Sequence, residues 1–390
     1  MQLIIHRGTR QIGGCVTEIR AASTSVFIDI GANLPGDGGA DLPPIEGLTA
    51  GDGANNALFI THSHGDHIGL LDTVLPEVAV YMNETAKAVY RNLVERTAPD
   101  KLPLLEKIQT IEAFRRKQIG SVAVLPLISD HSAFGAYMFV IETEEVRVLH
   151  TGDFRLHGIV GKQLISRFIP RYAQNIDYIV CEGTTLSRNG TEPWSERKIQ
   201  AKAAKMMTAA KYVFVLCSST NFDRIGAFYH ANPKERLFIC DLYQKKQLET
   251  LRNSAGDNSY YNFKHIYSYA PNLDRLMKEK GFCMLVRQGE FFRRVMAQYK
   301  DDCLVIYAMW TGYLDDRAKN QALVDFLSPY RQRVLHTSGH ASPSDLKRLY
   351  AAVNPKHGLI PIHTEAPEVF CELVDRVITL ADGEVLKLAD

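Results

Sequence analysis

The most informative feature of this chain is a short run rich in histidine and aspartate at residues 61–68. It reads Thr-His-Ser-His-Gly-Asp-His-Ile and contains His62, His64, Asp66 and His67. Neutral imidazoles and carboxylates are the ligands that hold Zn²⁺ or a similar divalent ion in proteins. Two histidines separated by one residue can reach one metal ion, and the Asp-His pair that follows can reach a second. The run therefore predicts a metal site rather than a merely polar loop.

The hydrophobic pattern places this run between a strand and a helix. Residues 57–61 are typical of a buried strand, and residues 68–71 begin a helical pattern. Ligands of open α/β sheets bind at the carboxyl ends of the strands. Further polar residues stand at or just past the ends of other apolar runs, so we expect them to gather in the same site. They are Asp29, Asp153, Glu182 and His363.

Length and composition define the class of protein. The chain has 390 residues, of which 46% are hydrophobic, so we expect a soluble globular protein with room for two domains. No apolar run approaches the roughly 20 residues of a membrane span, and no membrane association is expected. The N-terminus lacks the pattern of a signal peptide, and the seven cysteines are scattered without a Cys-x-x-Cys motif. These features predict a reduced, cytoplasmic protein.

Strand and helix patterns alternate along the chain, which predicts an α/β fold. The turn-rich stretch at 188–193 is the best candidate for a domain boundary. Residues 191–345 hold 23 Lys and Arg against 16 Asp and Glu, a net charge of +7, whereas the rest of the chain has 22 against 28, a net charge of −6. A basic segment beside an acidic, metal-rich remainder suits a polyanionic substrate, although ordinary surface scatter is the alternative explanation.

From the residues alone, two groups of metal ligands and a bridge between them can be assembled. The groups are His62 and His64 with His131, and Asp66 and His67 with His363, and the bridge is Asp153. A pair of metal ions generates hydroxide near neutral pH and holds a phosphoryl group during in-line displacement. The expected chemistry is therefore hydrolysis of a phosphate ester.

These motifs resemble those of the metallo-β-lactamase fold, specifically its β-CASP branch of nucleic-acid nucleases. Within that branch the chain is most similar to ribonuclease J and the mRNA 3′-end cleavage endonucleases. The resemblance is carried by His62-x-His64-x-Asp66-His67, His131, Thr-Gly-Asp153, Glu182, Ser338-Gly-His340-Ala-Ser342 and Pro-Ile-His363. It implies an αββα sandwich formed by residues 1–189 and 346–390, with an α/β β-CASP domain inserted at residues 190–345.

The resemblance also implies roles for single residues. His62, His64 and His131 would bind one Zn²⁺, Asp66, His67 and His363 a second, and Asp153 would bridge the two, with Mn²⁺ as an alternative metal. Glu182, His340 and His363 match the family's motifs A, B and C. The expected catalytic residues are Asp66, Glu182 and His340. His340, oriented by a carboxylate such as that of Glu182, would donate a proton to the leaving oxygen. Asp29 is expected to support the site or the fold.

Contacts to the substrate are expected from two segments. Ser338 and Ser342 can bond phosphate, although a tight turn that contains Gly also uses Ser for its own backbone. Thr220-Asn221-x-x-Arg224 resembles a Ser-Asn-x-x-Arg run of ribonuclease J relatives that lies near the RNA backbone. Arg224 would be the phosphate partner, and the alternative is an ordinary solvated Arg at the start of a helix.

The expected function is that of a zinc-dependent ribonuclease that hydrolyses single-stranded RNA, with exonuclease or endonuclease action left open. The alternatives are a hydrolase of a small phosphodiester or other ester, a DNA-processing β-CASP nuclease, and a non-catalytic RNA-binding relative. The long basic insert disfavours the first alternative, His363 the second, and the complete ligand set the third. Two segments depart from the family pattern, Asp130-His131-Ser132 and residues 310–314. Ribonuclease J proteins continue with a further C-terminal domain that helps them dimerise, whereas this sequence ends soon after His363, so the oligomeric state is left open.

Overall fold

The computed structural model of the protein describes residues 1–34, 41–188, 192–256, 258–315 and 320–389. The chain divides into two compact units, Met1–Glu192 with Gly339–Asp390, and Pro193–Ser338. The expected boundary at 189/190 lies outside the described residues. The expected boundary at 345/346 lies later in the chain than the division after Ser338, so His340 and Ser342 belong to the first unit.

Strands and helices alternate through much of the described chain. The strands are β1 (Gln2–Arg7), β2 (Val16–Ala21), β3 (Thr24–Ile28), β4 (Ala57–Phe59), β5 (Ala79–Met82), β6 (Ile108–Thr110), β7 (Lys117–Ile119), β8 (Val122–Ile128), β9 (Tyr137–Glu142), β10 (Arg147–His150), β11 (Tyr178–Glu182), β12 (Tyr212–Leu216), β13 (Leu237–Cys240), β14 (Ile266–Ser268), β15 (Phe282–Val286), β16 (Cys303–Tyr307), β17 (Gln332–Val334), β18 (Gly358–Ile362) and β19 (Val385–Lys387). The α-helices are α1 (Gly65–Ile68), α2 (Glu84–Thr97), α3 (Leu102–Glu106), α4 (Gly161–Gln163), α5 (Ile169–Tyr172), α6 (Glu196–Thr208), α7 (Phe222–Ala231), α8 (Leu242–Ser254), α9 (Asp274–Lys280), α10 (Glu290–Ala297), α11 (Gln321–Leu327), α12 (Pro343–Val353) and α13 (Phe370–Leu373). None of these helices is long and apolar enough to cross a membrane.

Two sheets face each other in the first unit. The first has the order β19-β1-β2-β3-β4-β5-β6, and the second has the order β18-β11-β10-β9-β8-β7. The core between them takes buried side chains from both, such as Ile19 and Phe59 from the first sheet and Val124 and Val148 from the second. Further apolar clusters cover the outer faces, where helices pack. Strands buried on both faces are apolar on both, which is why their sequences read as continuous hydrophobic runs. This arrangement confirms the expected αββα sandwich.

The two ends of the chain meet in the first unit. Strand β19 pairs with β1 in an antiparallel manner. Strand β18 lies parallel to β11, with Ile362 opposite Glu182. Because both strands end at the same edge of the sheet, His363 comes to lie beside the end of β11.

The second unit is an α/β domain built on one sheet of six strands. The strand order is β14-β13-β15-β12-β16-β17, and neighbouring strands are parallel. Its core contains Phe214, Met284 and Phe326, all buried. Parallel strands need crossover connections, and the helices between these strands supply them. The chain therefore carries the α/β insertion that was expected.

Candidate active site

Several candidate metal ligands, and the supporting residue Asp29, lie just past the carboxyl ends of strands in both sheets of the first unit. Asp29 follows β3, His62 follows β4, His131 follows β8, Asp153 follows β10 and His363 follows β18. Two of these residues, Asp29 and His363, have positive φ angles of 62° and 53°. Residues other than glycine rarely adopt this conformation, and it concentrates at functional sites. The sharp turns bring side chains from separate strands to one place.

Helix α1 organises the histidine-rich run differently from the prediction. The helical pattern was expected to begin at Ile68, but the helix begins at Gly65 and ends at Ile68, with Gly69 as its C-cap. The backbone N–H groups of Ile30 and Ala32 donate to the carbonyls of His67 and Gly65, so the helix packs closely against that segment. As a result Asp66 and His67 project from one turn of helix, after His62 and His64 in the preceding loop.

The first group of candidate ligands is His62, His64, His131 and Asp153, whose ligand atoms all lie within 4.8 Å of one another. His64 Nδ1 lies 3.0 Å from His62 Nε2 and 3.2 Å from His131 Nε2. Asp153 Oδ2 lies 3.7 Å from His62 Nε2 and 3.8 Å from His131 Nε2. Three nitrogens and one carboxylate oxygen around a common point form a donor set that suits a tetrahedral zinc site.

The second group is Asp66, His67 and His363. Asp66 Oδ2 lies 3.3 Å from His363 Nε2 and 3.8 Å from His67 Nε2. The Asp153 carboxylate also faces this group, because its Oδ2 lies 3.3 Å from His67 Nε2 and its Oδ1 3.8 Å from His363 Nδ1. Asp153 thus stands between the two groups, in the place where a bridging carboxylate would be needed.

A third cluster consists of Asp153, Glu182, His340 and His363. His340 Nδ1 lies 3.3 Å from Glu182 Oε1 and 3.5 Å from Asp153 Oδ2. Backbone N–H groups hold the Glu182 carboxylate in turn: those of Phe154 and Ala341 donate to Oε1, and that of Thr184 donates to Oε2. The carboxylate is therefore fixed, and it orients the imidazole of His340.

Hydrogen bonds to Nδ1 fix the orientation of three of the histidine rings. His67 Nδ1 donates to Asp29 Oδ2 at 2.7 Å, and the Thr61 hydroxyl donates to the same oxygen at 2.8 Å. Because the Thr61 hydroxyl gives its proton to Asp29, its oxygen accepts from His62 Nδ1, 3.0 Å away. His131 Nδ1 donates to the Gly339 carbonyl oxygen at 2.7 Å. Each bond places the proton on Nδ1 and leaves Nε2 free to bind a metal ion.

Three buried atoms test whether this donor set fits a metal ion. His67 Nε2 and both carboxylate oxygens of Asp153 are buried and make no hydrogen bond within the described part of the chain. Buried polar atoms without partners are rare in folded proteins, because their desolvation costs free energy. A divalent cation between these atoms would satisfy all three of them. The residues present therefore fit a metal centre.

The electrostatics of the site favour the protonation states that metal binding needs at His62, His131 and Asp153. Burial lowers the pKa values of His62 and His131 well below the ordinary value, which keeps both imidazoles neutral. Burial alone would raise the pKa of Asp153, but His363, His67 and His340 lower it well below the ordinary value. His67 differs, because the carboxylates of Asp153 and Asp29 outweigh its burial and raise its pKa. Ionised carboxylates and neutral imidazoles are the forms that bind metal ions.

Ser342 has a structural role in the first unit. It is buried, and its hydroxyl caps helix α12 by accepting from the backbone N–H of Asp345 at 3.1 Å. The Asp345 carboxylate accepts in return from the Ser342 backbone, which completes a capping box. The structure thus corrects the expected phosphate contact of Ser342 to the alternative of a serine that bonds its own backbone.

The second segment of expected substrate contacts lies in the second unit. Arg224 is fully buried, and its guanidinium forms a bidentate ion pair with Glu196 and donates to the carbonyls of Ala308 and Thr337. With these partners it holds the unit together, which corrects its expected role as a phosphate partner. Asn221 caps helix α7, and the Thr220 hydroxyl bonds Ser218. Contacts of Thr220, Asn221 and the half-buried Ser338 with a substrate stay predictions.

Three supporting residues were missed by reasoning from the sequence. The Thr61 hydroxyl contacts Nδ1 of both His62 and His67. The Thr184 hydroxyl lies 2.7 Å from His363 Nδ1. A Cβ on Gly31 would lie 1.7 Å from the carbonyl oxygen of Asp66, so only glycine lets α1 approach this closely. Thr61 is the first residue of the histidine-rich run, and Gly31 stands two residues after Asp29. Their positions in the sequence therefore gave a weak indication that they support the site. Thr184 gave none.

Two protein-family models match the segments that contribute residues to this site. The model of the metallo-beta-lactamase superfamily matches residues 56–175, which include the histidine-rich run, His131 and Asp153. The model described as the Zn-dependent metallo-hydrolase RNA specificity domain matches residues 330–374, which include His340 and His363. The chain has a metallo-β-lactamase fold, and the two matched models together are consistent with a ribonuclease-J-like protein. The chain is a metal-dependent hydrolase.

Curated relatives resemble this metallo-β-lactamase-fold protein over most of its length. Ribonuclease J of Mycoplasma genitalium is 23% identical over 98% of this chain and 73% of its own, and ribonuclease J of Sinorhizobium meliloti is 25% identical over 93% and 69%. Cleavage and polyadenylation specificity factor 73 of Drosophila melanogaster is 28% identical over 37% of this chain and 23% of its own. A crystal structure of a protein of unknown function from Enterococcus faecalis superposes with a TM-score of 0.80 at 20% identity, over 99% of each chain.

Proposed function

We propose that the protein is a zinc-dependent ribonuclease that hydrolyses phosphodiester bonds of single-stranded RNA with two metal ions per chain. One observation carries this proposal: the Asp153 carboxylate faces both groups of candidate ligands, and the Glu182–His340 pair lies beside it. Two-metal sites of this type serve phosphoryl transfer in phosphatases and nucleases. The proposed setting is the cytoplasm.

The metal centre would be held entirely by residues of the first unit. His62, His64 and His131 would hold one ion, Asp66, His67 and His363 the other, and Asp153 would contact both. When bound, such ions lower the pKa of water and offset the charge that develops on the phosphoryl oxygens. Asp29, through His67, would set the ligand geometry, since partners behind the ligands typically determine metal affinity.

His340 is the proposed general acid. Its Nδ1 faces Glu182 and Asp153, and Nε2 is the atom proposed to reach the substrate. The leaving ribose oxygen needs a proton as the phosphorus–oxygen bond breaks, and a positioned imidazolium can supply it. Glu182 would act by holding the ring in this orientation and by favouring its protonated form. Asp66 is proposed to contribute to catalysis as a metal ligand.

RNA is the substrate that the comparisons favour. The matched family model at residues 330–374 is described as an RNA specificity domain, and the curated relatives that cover most of the chain are ribonucleases. The substrate is proposed to be single-stranded RNA, whose unpaired nucleotides are the usual targets of RNA-binding proteins. Thr220, Asn221 and Ser338 remain proposed contacts for its backbone.

The proposal is tested with matched single-stranded RNA and DNA that carry a 5′-monophosphate, in the presence of Zn²⁺ or Mn²⁺. We expect cleavage of RNA by the wild-type protein, and loss of cleavage in Asp66→Ala and His340→Ala. An exposed carboxylate outside the site, altered in Glu77→Gln, provides the matched control. The products would separate exonuclease from endonuclease action. Intact RNA together with hydrolysis of a small phosphodiester or of DNA would overturn the proposed substrate.

A further inference from the structure

A cavity of about 420 Å³ lies on the outer face of the second sheet of the first unit. It is lined by Arg147, which opens β10, whereas Asp153 of the candidate metal centre follows the other end of that strand. At about 3.3 Å per residue, the strand alone separates the two places by roughly 10 Å. The cavity is therefore distinct from the site described above.

Three arginines line this cavity, and they differ in how they are held. Arg147 is fixed, since its Nε donates to Glu142 Oε2 at 2.9 Å and its terminal nitrogens donate to the carbonyls of Tyr172 and Gln174. Arg116 donates through Nε to Glu142 Oε1 at 2.8 Å, yet 62% of its side chain is exposed. Arg171 is exposed and forms no ion pair within the described residues. Since Glu142 offsets only one of the three charges, the cavity is positive.

An aromatic wall stands next to these cations. The rings of Phe114 and Tyr172 stack with centroids 4.7 Å apart, and the Phe168 ring is tilted against Phe114 with centroids 5.0 Å apart. Phe114 has a φ of 65°, a conformation that bulky residues rarely adopt. The Arg171 guanidinium lies over the Tyr172 ring at 5.3 Å from its centroid. The wall and the arginines thus face one space.

We propose that this cavity binds a nucleoside monophosphate, either free or as one nucleotide of an RNA strand. The phosphate would lie on Arg116 and Arg171, whose side chains are exposed, and the base would pack against the wall formed by Phe114 and Tyr172. Arginine and aromatic groups together recognise nucleotides, because one binds the phosphate and the other the π-face of any base. The cavity has the volume of a small-molecule site. The proposal does not depend on the metal centre or on the proposed nuclease function.

The first test measures binding of AMP by calorimetry, with EDTA present so that no metal-dependent reaction occurs. We expect Arg171→Gln and Arg116→Gln each to weaken binding about tenfold or more, since each removes a charge-assisted contact with the phosphate. Arg115→Gln is the matched control, because Arg115 is exposed, pairs with Glu112 and lies outside the lining. Unchanged affinity in both lining variants, or equal affinity for inorganic phosphate, would overturn the proposal.

A second test locates the bound nucleotide. Photolysis with 8-azido-AMP is expected to label the peptide that contains Tyr172, and Tyr172→Leu is expected to abolish that label. Labelling of the peptide with the histidine-rich run instead would contradict the assignment. A 5′-phosphorylated oligoribonucleotide distinguishes the two sources. If Arg171→Gln weakens its binding, the cavity takes a nucleotide of an RNA strand, whereas an effect on AMP alone identifies a free nucleotide.

Discussion

The Asp29 carboxylate lies 2.7 Å from His67 Nδ1, on the side of the ring opposite to the candidate metal centre. Asp29 also accepts from the backbone N–H and the hydroxyl of Thr61, so its position is fixed by three hydrogen bonds. This single carboxylate thereby orients one ligand directly and a second, His62, through Thr61.

Asp29→Asn is expected to weaken metal binding by about 10- to 100-fold while the fold is retained, because partners of ligand histidines have effects of this size. Competition with a chelator of known affinity measures the change, and circular dichroism checks the fold. Glu77→Gln removes an exposed carboxylate and is expected to bind metal like the wild type. Wild-type metal affinity in Asp29→Asn would show that Asp29 is only structural.

His340→Ala is expected to lower kcat for RNA cleavage by about 10²- to 10⁴-fold, the usual contribution of a general acid, with little change in KM. Added imidazole is expected to restore part of the rate, because it can supply the missing proton. Glu182→Gln is expected to lower kcat less, without rescue by imidazole, since it leaves the ring in place but poorly oriented. Equal losses in kcat with no rescue in either variant would indicate a structural role for His340.

Gly31→Ala is expected to destabilise the first unit by about 1–3 kcal/mol, the usual cost of overpacking, because its Cβ would collide with the Asp66 carbonyl. Urea unfolding measures the free energy of unfolding. Gly65→Ala is the matched control, since a Cβ there has no heavy atom within 4 Å. If both variants were equally stable, the close approach of helix α1 to Gly31 would not exist in solution.

We expect protonation of Asp345 to lower the free energy of unfolding in acid. Burial would raise its pKa, but the hydrogen bond and charge of His157 and the backbone N–H donors lower the pKa below the ordinary value. A carboxyl group with a lowered pKa in the folded state stabilises the fold above about pH 4 and loses this contribution as the pH falls further. Asp345→Asn is thus expected to be less stable than the wild type at pH 7, by about 1–2 kcal/mol.

Urea unfolding of the two proteins between pH 7 and pH 2 checks this dependence. The difference in free energy of unfolding should shrink as the pH falls below about 4, because protonation removes the advantage of the wild type. A difference that stays constant over this range would mean that the charge of Asp345 contributes nothing and that only its shape matters.

Much of the candidate site could be predicted because its residues carry a local pattern. The histidine-rich run and the polar residues at strand ends are visible in the sequence, and the parallel pairing of β18 with β11 explains why His363 meets Glu182. The bounds of helix α1 could not be predicted, since its backbone carbonyls accept hydrogen bonds from Ile30 and Ala32, which are distant in sequence.

The role of Arg224 could not be predicted for a similar reason. Its position at the start of a helix after a strand suits a phosphate contact, and the sequence gives no sign of burial. Its partner Glu196 stands 28 residues earlier, and only the packed domain brings the two together. Thr184 likewise bonds His363 across 179 residues. Side-chain partners of this kind depend on tertiary structure rather than on local pattern.

Two metal ions, held by ligand groups on either side of Asp153, are proposed to carry out RNA cleavage. A titration of metal-free protein with Zn²⁺ tests this proposal, with cleavage of single-stranded RNA and bound metal both measured. We expect the rate to reach its plateau at two ions per chain, and His363→Ala to bind one ion tightly and remain inactive. Full activity at one ion per chain, or cleavage without metal, would contradict the account.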